Sequence, residues 1–372
     1  MRYHNAILFT PEGRFQKGSF RVENGRFAEI SLEDGHEGTD LHGALVLPGL
    51  VDMHIHGCGG ADFSDGTGLE TMGRFLASRG VTGFCPTAMT LPYERIRSAL
   101  AAGVAYEQNQ PRDGARLAGM RLEGPFLSEA KKGAQRGDWL RDPDGDAFDS
   151  LNEGCGGRVA LVDVAPELSG ALSFIESAAR KCRVSLGHTT ADYDRAVAAF
   201  EAGASHLTHL YNAMPPLLHR APGPIAAGAE REDVSAEIVA DGIHVHESMV
   251  RLAFRLFPDR LALISDAARC LGMADGVYDL GGQAITLRGN RAEFPDGTIA
   301  GSATDLFACL QNAVRWGVPR ERAVAAATSV PARLLGREDL GVLCPGAFAD
   351  FVLCDEKLDR QAVYLGGRLL RL

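Results

Sequence analysis

The spacing of apolar residues divides the chain into a middle region and two similar ends. The first 47 residues carry short runs in which apolar and polar positions alternate, such as AILFT and GSFRVENGRFAEI. The sequences PEG, NG and DG, which favour tight turns, separate these runs. The last 30 residues show the same alternation in FADFVLCD and AVYLGGRLL. We therefore predict a small β-sandwich domain formed by residues 1–47 and 343–372 together.

Residues 48–342 have a different pattern, in which short apolar runs alternate with segments whose apolar residues recur every three or four positions. The first kind of segment predicts a buried strand, and the second predicts an amphipathic helix. The predicted strands are LVDMHIH, GFCPTA, RLAGMRLEG, VALVDVAPE, CRVSLGH, HLTHLYN, EIVADGIHV and LALISDA. The predicted helices include LETMGRFLASRG, YERIRSALAAGVAYEQ, LSFIESAARK, DYDRAVAAFEAG and ESMVRLAFRLF.

Strands that alternate with helices form βα units and a parallel sheet. Because eight such units close into a barrel, we predict an α/β fold with a TIM-like (β/α)8 barrel over residues 48–342. A β-rich insertion is expected at about residues 275–302, between the eighth strand and the last helix. The catalytic side chains of such barrels lie at the carboxyl ends of the strands.

The composition limits the classes of function. Of the 372 residues, 45% are hydrophobic and 23% are charged, as in an ordinary soluble globular protein. A formal net charge of −10 argues against broad nucleic-acid binding, so any anionic ligand must be held by a few local cations. We expect no signal peptide and no membrane span, because polar residues and prolines interrupt the apolar runs. The eight cysteines form no CxxC pair, which predicts reduced thiols and a cytoplasmic location.

Ionisable side chains are concentrated at the carboxyl ends of the predicted strands. His54 and His56 are two residues apart in one strand, so their side chains share a face. Imidazole and carboxylate groups are the ligands that zinc and similar ions use. We therefore predict that these strand ends meet around a divalent metal ion. The candidate residues are His54, His56, Glu123, His188, His209, Asp241, His244 and Asp266.

Asp266 is the candidate for proton transfer, because it follows an apolar strand and should lie at the barrel mouth. A carboxylate beside a metal-activated water can take a proton during attack and return it to the leaving group. His206 and His209 are three residues apart in a strand, so at most one of them is a ligand. Cys58, which lies two residues after His56, is interpreted as a thiol beside a tight glycine turn rather than as a ligand.

A series of motifs in this chain resembles those of one known family. They are PGLVDMHIHG, LEGPF followed by KKGA, GHT, THLYNAM, HRAPG, ADGIHV and SDA, in this order. The family is that of the N-acetylglucosamine-6-phosphate deacetylases in the amidohydrolase superfamily, and the resemblance runs from about residue 46 to residue 354. It implies metal-dependent removal of the acetyl group from N-acetylglucosamine 6-phosphate, which gives glucosamine 6-phosphate and acetate.

The resemblance also implies roles for individual residues. One metal ion, expected to be zinc, would be held by Glu123, His188 and His209. A second ion would bind at His54 and His56, as in family members that retain HxH. Asp266 would act first as general base and then as general acid.

The same resemblance places the substrate phosphate against Asn212, the backbone near Ala213, Arg220 and His244. Arg220 would reach this phosphate across the interface of a homodimer. A guanidinium group makes bidentate contacts to phosphate, which suits a protein that is acidic overall. We expect a small-molecule substrate and neither a nucleic-acid nor a membrane partner.

One position departs from the family pattern. Twelve residues after Glu123 the family usually has a histidine, which is thought to hydrogen-bond the acetyl carbonyl, and this chain has Gln135. Glutamine can donate a hydrogen bond but can never carry a positive charge, so the developing oxyanion would depend more on the metal. We expect Gln135 to bind the substrate and to alter the acyl or sugar preference.

Other functions remain open from the sequence. A deacetylase for N-acetylgalactosamine 6-phosphate or a related N-acyl amino sugar phosphate has the same requirements. A cyclic-amide hydrolase or base deaminase of the same superfamily is a further alternative, although many cyclic-amide members use a strand-end lysine that no predicted strand here carries. A sugar-phosphate binder without activity is the alternative from a different class.

Overall fold

The computed structural model describes residues 1–33 and 35–371. The strands are β1 (Arg2–Phe9), β2 (Phe15–Glu23), β3 (Arg26–Ser31), β4 (Thr39–Asp40), β5 (Leu45–Pro48), β6 (Leu50–Ile55), β7 (Gly57–Cys58), β8 (Ala61–Asp62), β9 (Val81–Ala88), β10 (Arg116–Leu117), β11 (Met120–Leu122), β12 (Val159–Val164), β13 (Arg183–Leu186), β14 (His206–Leu207), β15 (Ser235–Val239), β16 (Leu261–Ile264), β17 (Gly276–Leu280), β18 (Gln283–Arg288), β19 (Arg291–Glu293), β20 (Phe351–Cys354), β21 (Arg360–Leu365) and β22 (Arg368–Leu369). The α-helices are α1 (Leu69–Ser78), α2 (Tyr93–Gln108), α3 (Gly145–Gly154), α4 (Ala171–Ala178), α5 (Tyr193–Glu201), α6 (Gly223–Ala229), α7 (Glu247–Leu256), α8 (Leu306–Arg315), α9 (Arg320–Ala327) and α10 (Ser329–Leu334).

Both chain ends contribute to one sheet of eight strands, in the order β22-β21-β20-β5-β1-β2-β3 with β4 paired to β1. The C-terminal strand β20 lies antiparallel to β5, with Val352 opposite Leu47. Aromatic residues form the core of this sheet, and the ring centroids of Tyr3 and Phe20 lie 5.6 and 5.2 Å from that of Phe351. The predicted sheet domain from both chain ends is confirmed, while its exact boundaries stay a prediction.

The predicted barrel is also confirmed. Strands β6, β9, β11, β12, β13, β14, β15 and β16 follow one another in parallel. The first and last of them are joined beyond the ends of the regular strands, where the Asp266 amide donates to the His54 carbonyl at 2.9 Å and the His56 amide donates to the Ala267 carbonyl at 2.9 Å. This closure therefore places His54 and His56, at the end of the first barrel strand, beside Asp266, at the end of the last one.

The five predicted helices correspond to α1, α2, α4, α5 and α7. Helices α3, α6, α9 and α10 are not among the predicted segments. The α3 sequence GDAFDSLNEG has few apolar residues and a glycine at each end. A local signal marks its start all the same, since the Asp144 side chain accepts the Ala147 amide at the helix N-terminus. Asp192 and Asp305 cap α5 and α8 in the same way. No helix in the two described ranges has the length and apolar character needed to cross a bilayer.

The predicted β-rich insertion is a three-stranded antiparallel sheet, β17-β18-β19. Its buried residues Leu280, Ile285 and Leu287 pack in one cluster with Met89 and Cys270, which belong to barrel loops. The insertion thus lies over the end of the barrel at which the candidate site residues were predicted.

A buried ion pair connects the barrel to the terminal sheet. Arg116 of β10 donates from Nε to Oδ2 of Asp350 at 2.7 Å, and the Gly366 amide donates to Oδ1 of Asp350 at 2.6 Å. The Arg116 guanidinium also lies over the Phe348 ring, 3.6 Å from its centroid. The Asp350 carboxylate therefore links β10 of the barrel to the turn between β21 and β22 of the terminal sheet.

We predict that Asp350→Ala lowers the free energy of unfolding by about 3 kcal/mol, because it leaves the Arg116 charge without a partner in a largely buried place. Urea denaturation followed by circular dichroism measures the effect. Asp113→Ala is the matched control, since it removes the exposed partner of Arg74 and should cost less than about 1 kcal/mol. Equal losses in the two variants would contradict a role for Asp350 in joining the sheets.

Candidate metal centre

The backbone adopts an unusual conformation where three barrel strands end. His188, His209 and Asp266 have φ angles of 47°, 28° and 47°. Side chains other than glycine rarely occupy this region, which costs about 1–3 kcal/mol at each position. All three residues are buried at the same rim of the barrel. Such strain at one place indicates a functional site, because the rest of the fold must hold each residue there.

Glu123, His188 and His209 form the first candidate group of metal ligands. Oε1 of Glu123 lies 3.1 Å from Nε2 of His188 and 3.1 Å from Nε2 of His209. The two Nε2 atoms lie 3.0 Å from each other. One ion could therefore contact all three side chains, as predicted from the sequence.

His54, His56 and Asp266 form the second candidate group. Oδ1 of Asp266 lies 3.5 Å from Nε2 of His54 and 3.3 Å from Nε2 of His56. The two groups touch at Glu123, whose Oε2 lies 3.1 Å from Nε2 of His56. The five predicted ligands and Asp266 are thus brought together in one cluster.

Acceptors around the cluster fix which side of three of its four imidazole rings faces inwards. Nδ1 of His54 donates to Oε1 of Glu237 at 2.6 Å, and Nδ1 of His188 donates to the Lys131 carbonyl at 2.8 Å. Nδ1 of His56 donates to the Thr87 carbonyl at 3.1 Å. Each Nε2 atom is left to face the cluster, and Nε2 of His54 is buried without a hydrogen-bond partner among residues 1–33 and 35–371.

A neutral imidazole of this tautomer carries a lone pair on Nε2, which the neighbouring carboxylates repel. A proton or a metal cation between the groups turns this repulsion into attraction. Metal-binding histidines commonly donate their second nitrogen to a carboxylate or a carbonyl, as these three do. The residues present therefore fit a divalent cation.

The pKa values of the cluster show how strongly its groups favour a central positive charge. Burial lowers the pKa of His209, but the hydrogen bond and charge of Glu123 outweigh it and raise this pKa to about 9. Burial likewise opposes the pKa shift of His56, which Asp266 and Glu123 raise well above its usual value. Burial would raise the pKa of Asp266, yet the charges of His54 and His56 bring it to about 2. Without a metal ion, protons on the histidines neutralise the carboxylates.

A layer of charged residues inside the barrel supports the cluster. Glu237 accepts hydrogen bonds from His54 and, at 2.7 Å, from Arg121. Arg121 also donates to both carboxylate oxygens of Asp163 and, at 3.0 Å, to the Thr208 hydroxyl. Burial opposes the ionised form of Glu237, but the Arg121 charge holds its pKa well below the usual range. This layer fixes the orientation of the His54 ring.

Sequence reasoning missed Arg121, Asp163 and Glu237. A signal for them exists, because each is a charged residue inside a short apolar strand, in MRL, VALVDV and SAEIV. Arg121 lies two residues before Glu123 and so shares its face of the strand. A charge in such a position must be paired when buried, which indicates a network inside the barrel.

A cavity of about 330 Å³ opens beside the cluster. The residues that line it outside the cluster are Met89, Ala130, Lys131, Gly133, Ala134, Gln135, Asn212, Ala213, His244, Leu280, Thr298, Ile299 and Gly301. The loop after β11, the segment after β14 and the insertion therefore form its walls. Lys131 is a cation that the sequence did not single out, and its Nζ donates to the Met214 carbonyl at 3.4 Å.

The predicted phosphate ligands are only partly gathered at this cavity. Asn212, Ala213 and His244 line it, whereas Arg220 is exposed and does not. Nδ1 of His244 donates to Oδ2 of Asp241 at 2.7 Å, which orients the ring. Arg220 has no contact with the cavity within one chain, so its predicted role requires a second subunit and stays a prediction.

Gln135 has defined partners for both atoms of its amide. Its Oε1 accepts the Thr90 backbone amide at 2.8 Å, and its Nε2 donates to Oε2 of Glu123 at 2.5 Å. The side chain is buried. Gln135 therefore contacts a candidate metal ligand directly, in addition to lining the cavity.

Two other residues lie outside both ligand groups of the described chain. His206 lies outside the cluster, where its ring bonds to the Ser235 hydroxyl and to Glu237. Cys58 is buried and belongs to neither ligand group found in the described part of the chain. Of the histidine pair at 206 and 209, only His209 reaches the candidate metal position.

Comparison with known proteins identifies the family. Residues 45–370 match the model of the Amidohydrolase family. The N-acetylglucosamine-6-phosphate deacetylase of Vibrio furnissii is 37% identical over 356 residues, which cover 94% of this chain and 89% of the relative. The N-acetylgalactosamine-6-phosphate deacetylase of Escherichia coli O157:H7 is 34% identical, with 97% of each chain covered.

A solved structure shows the same similarity along the whole fold. It is a mutant of N-acetyl-D-glucosamine-6-phosphate deacetylase from Mycobacterium smegmatis in complex with N-acetyl-D-glucosamine-6-phosphate. It matches with a TM-score of 0.92 and 33% identity, covering 100% of this chain and 99% of that chain. The chain described here belongs to the amidohydrolase family and, within it, to the N-acetylglucosamine-6-phosphate deacetylase family.

Proposed function

We propose that this protein hydrolyses the N-acetyl group of N-acetylglucosamine 6-phosphate and releases glucosamine 6-phosphate and acetate. The observation that carries the proposal is the meeting of Glu123, His188 and His209 beside Asp266 in one cavity. Relatives with this activity align with nearly the whole chain. An assay of acetate release from the phosphorylated sugar tests it directly.

The metal ion is proposed to be zinc, held by Glu123, His188 and His209. His54 and His56 would hold a second ion, for which Glu123 offers its other oxygen. A divalent ion at such a site polarises the acyl oxygen and lowers the pKa of a bound water. Glu237 and the carbonyls of Thr87 and Lys131 keep the histidine rings oriented for this task.

Asp266 is proposed as the group that moves the proton. Its low pKa keeps the carboxylate ionised at neutral pH, so it can accept a proton from the attacking water. The protonated carboxyl group then donates this proton to the departing amine nitrogen. The closure between His54 and Asp266 holds the carboxylate close to the metal ligands.

The substrate phosphate is proposed to lie at the wall of the cavity, bound by Asn212, the backbone at Ala213 and His244. Arg220 would complete this subsite from the second subunit of a homodimer. Contacts to the phosphate orient the acetyl group relative to Asp266 and can lower the barrier by several kcal/mol. The protein is proposed to act in the cytoplasm.

Gln135 is proposed to tune the site through Glu123. Because its amide spans the Thr90 backbone and the Glu123 carboxylate, it fixes which oxygen of Glu123 faces each ligand group. A neutral amide supplies less stabilisation to an oxyanion than a protonated histidine would. We expect activity to survive with an altered acyl preference.

A second candidate substrate is N-acetylgalactosamine 6-phosphate, which differs in the configuration of one hydroxyl group. The specific support is the deacetylase of Escherichia coli O157:H7, which is 34% identical over 97% of this chain. Comparing kcat/KM for the two phosphorylated sugars decides between them.

We predict that Asp266→Asn lowers kcat by about a thousandfold, because general acid–base catalysis of this kind contributes roughly 10²–10⁴ in rate. The amide keeps the shape of the side chain, so the metal content measured by mass spectrometry should not fall below one ion per chain. Asp146→Asn, at an exposed position of α3, is the control and should keep full activity. A normal kcat for Asp266→Asn would remove the proposed proton carrier.

We predict that zinc binding to the metal-free chain at pH 7 releases protons. The pKa of His209 is raised to about 9 and that of His56 lies well above its usual value, so both rings are protonated at this pH without metal. A metal ion must displace these protons to bind Nε2. Calorimetric titrations in buffers with different ionisation enthalpies count the released protons. Glu123→Gln should weaken zinc binding strongly, and proton-neutral binding in the unaltered protein would contradict the arrangement.

We predict that Gln135→Glu lowers kcat/KM by about a hundredfold. The new carboxylate has the same shape but faces Oε2 of Glu123, and losing a hydrogen bond to a charged group costs about 1.5–3 kcal/mol. Gln135→His keeps a donor and should lose less. Activity of Gln135→Glu equal to that of the unaltered protein would show that the contact with Glu123 has no role.

A further inference from the structure

A second large cavity lies at the amino-terminal end of the barrel, opposite the metal centre. Its volume is about 640 Å³. The ends of β10, β12 and β13 and the segment before β14 line it, together with the last residues of α10 and those that follow it. A volume of this size is typical of sites that hold small molecules.

Cations dominate the lining of this cavity. They are Arg158, Arg180, Lys181, Arg183, Arg333 and Arg337, and the one carboxylate in the lining is that of Glu107. The whole chain has the opposite balance, with 38 basic and 48 acidic residues. A basic cavity in an acidic protein is therefore a local feature of this end of the barrel.

Three of the six cations have acidic partners. Arg158 pairs with Glu107, Lys181 pairs with Asp149 and Arg337 pairs with Asp339. The charges of these residues are balanced by the protein itself.

The other three cations of the lining, Arg180, Arg183 and Arg333, form no ion pair within residues 1–33 and 35–371. Arg333 donates from Nη2 to the Asp259 carbonyl at 2.6 Å. Arg183 donates from Nε to the Leu334 carbonyl at 3.0 Å and from Nη1 to the Ser205 hydroxyl at 2.9 Å. These uncharged acceptors orient the guanidinium group without neutralising it.

The position of Arg183 carries an electrostatic cost. Burial, and after it the nearby charge of Arg333, lowers the pKa of Arg183. Two like charges near a partly buried position repel each other, and a bound anion would remove this repulsion. Arg183 and Arg333 also line a neighbouring pocket that holds Glu230, Glu232 and Asp233. None of these carboxylates forms an ion pair with either arginine in the described part of the chain.

We propose that this cavity binds a small molecule through its phosphate group, held by Arg180, Arg183 and Arg333. Guanidinium groups match phosphate oxygens in bidentate, charge-assisted hydrogen bonds. Three unbalanced positive charges suit a phosphate monoester or a diphosphate. A nucleic acid fits less well, because the surface outside the cavity carries the net negative charge of the chain.

The site is separate from the metal centre and independent of the proposed function. Arg183 begins β13, and His188 follows the other end of that strand. Five residues of extended chain span about 17 Å. A phosphate bound at Arg183 therefore cannot also contact the catalytic cavity, and either site can be present without the other.

Calorimetric titration of the metal-loaded, full-length protein with glycerol 2-phosphate tests the proposal. The His244→Ala variant serves as the background, since it weakens phosphate binding at the catalytic cavity. We expect one binding event per chain in this background, weakened at higher potassium chloride concentration. Adding Arg180→Gln and Arg333→Gln should raise Kd at least about tenfold, as expected for the loss of charge-assisted contacts. Both residues are exposed, so the fold should tolerate these changes.

Arg322→Gln is the matched control, because Arg322 is an exposed arginine that does not line the cavity. It should leave Kd unchanged. The proposal is overturned if the His244→Ala background does not bind glycerol 2-phosphate, or if the Arg180→Gln, Arg333→Gln pair and the control bind it equally well. Stronger binding of a short RNA than of glycerol 2-phosphate would also overturn it. A crystal soaked in tungstate provides a second measurement, with anomalous density expected between Arg183 and Arg333.

Discussion

The buried carboxylate of Glu123 is the interaction on which the site depends. Burial alone would raise its pKa, but hydrogen bonds from His188 and His209 and the charge of His54 hold it well below its usual value. Its Oε1 faces His188 and His209, its Oε2 faces His56, and Gln135 donates to Oε2. A buried carboxylate that contacts several ligand residues can stay ionised only if positive charge lies beside it. The cluster therefore requires protons or metal, and the two states differ in the number of protons bound.

The barrel interior supplies the rigidity that this arrangement needs. Arg121, Asp163 and Glu237 are ion-paired where most barrels place apolar side chains. Replacing such a network with apolar residues often stabilises a protein, so stability does not explain its presence. Its bond to His54 does explain it, because the ring must present Nε2 and not Nδ1 to the cluster. The left-handed backbone conformation of His188, His209 and Asp266 also lowers the stability of the fold at the same place.

Much of this structure could be predicted from the sequence, and the remainder has physical reasons. The spacing of apolar residues and the turn sequences predicted the barrel strands. Because parallel strands end at one rim, the residues at the strand ends were predicted to be neighbours, among them Glu123, His188, His209 and Asp266. Helix α3 was missed because its burial comes from few apolar residues. The link between Gln135 and Thr90 could not be predicted, because it depends on how a loop after β11 folds back over the site. Pairing among the interior charges likewise depends on barrel geometry, which a single strand does not encode.

The two ends of the barrel bury charges of opposite sign. At the carboxyl end, Glu123 and Asp266 bring negative charge into a buried place, and imidazoles and a cation balance it. At the amino end, Arg183 and Arg333 bring positive charge together, and the hydrogen bonds of Arg183 go to two carbonyls and a hydroxyl. An unbalanced charge that is only partly buried lowers stability unless a ligand supplies the missing charge. By the reasoning that identifies the metal centre, the arginine cavity is therefore a place where an anion completes the structure.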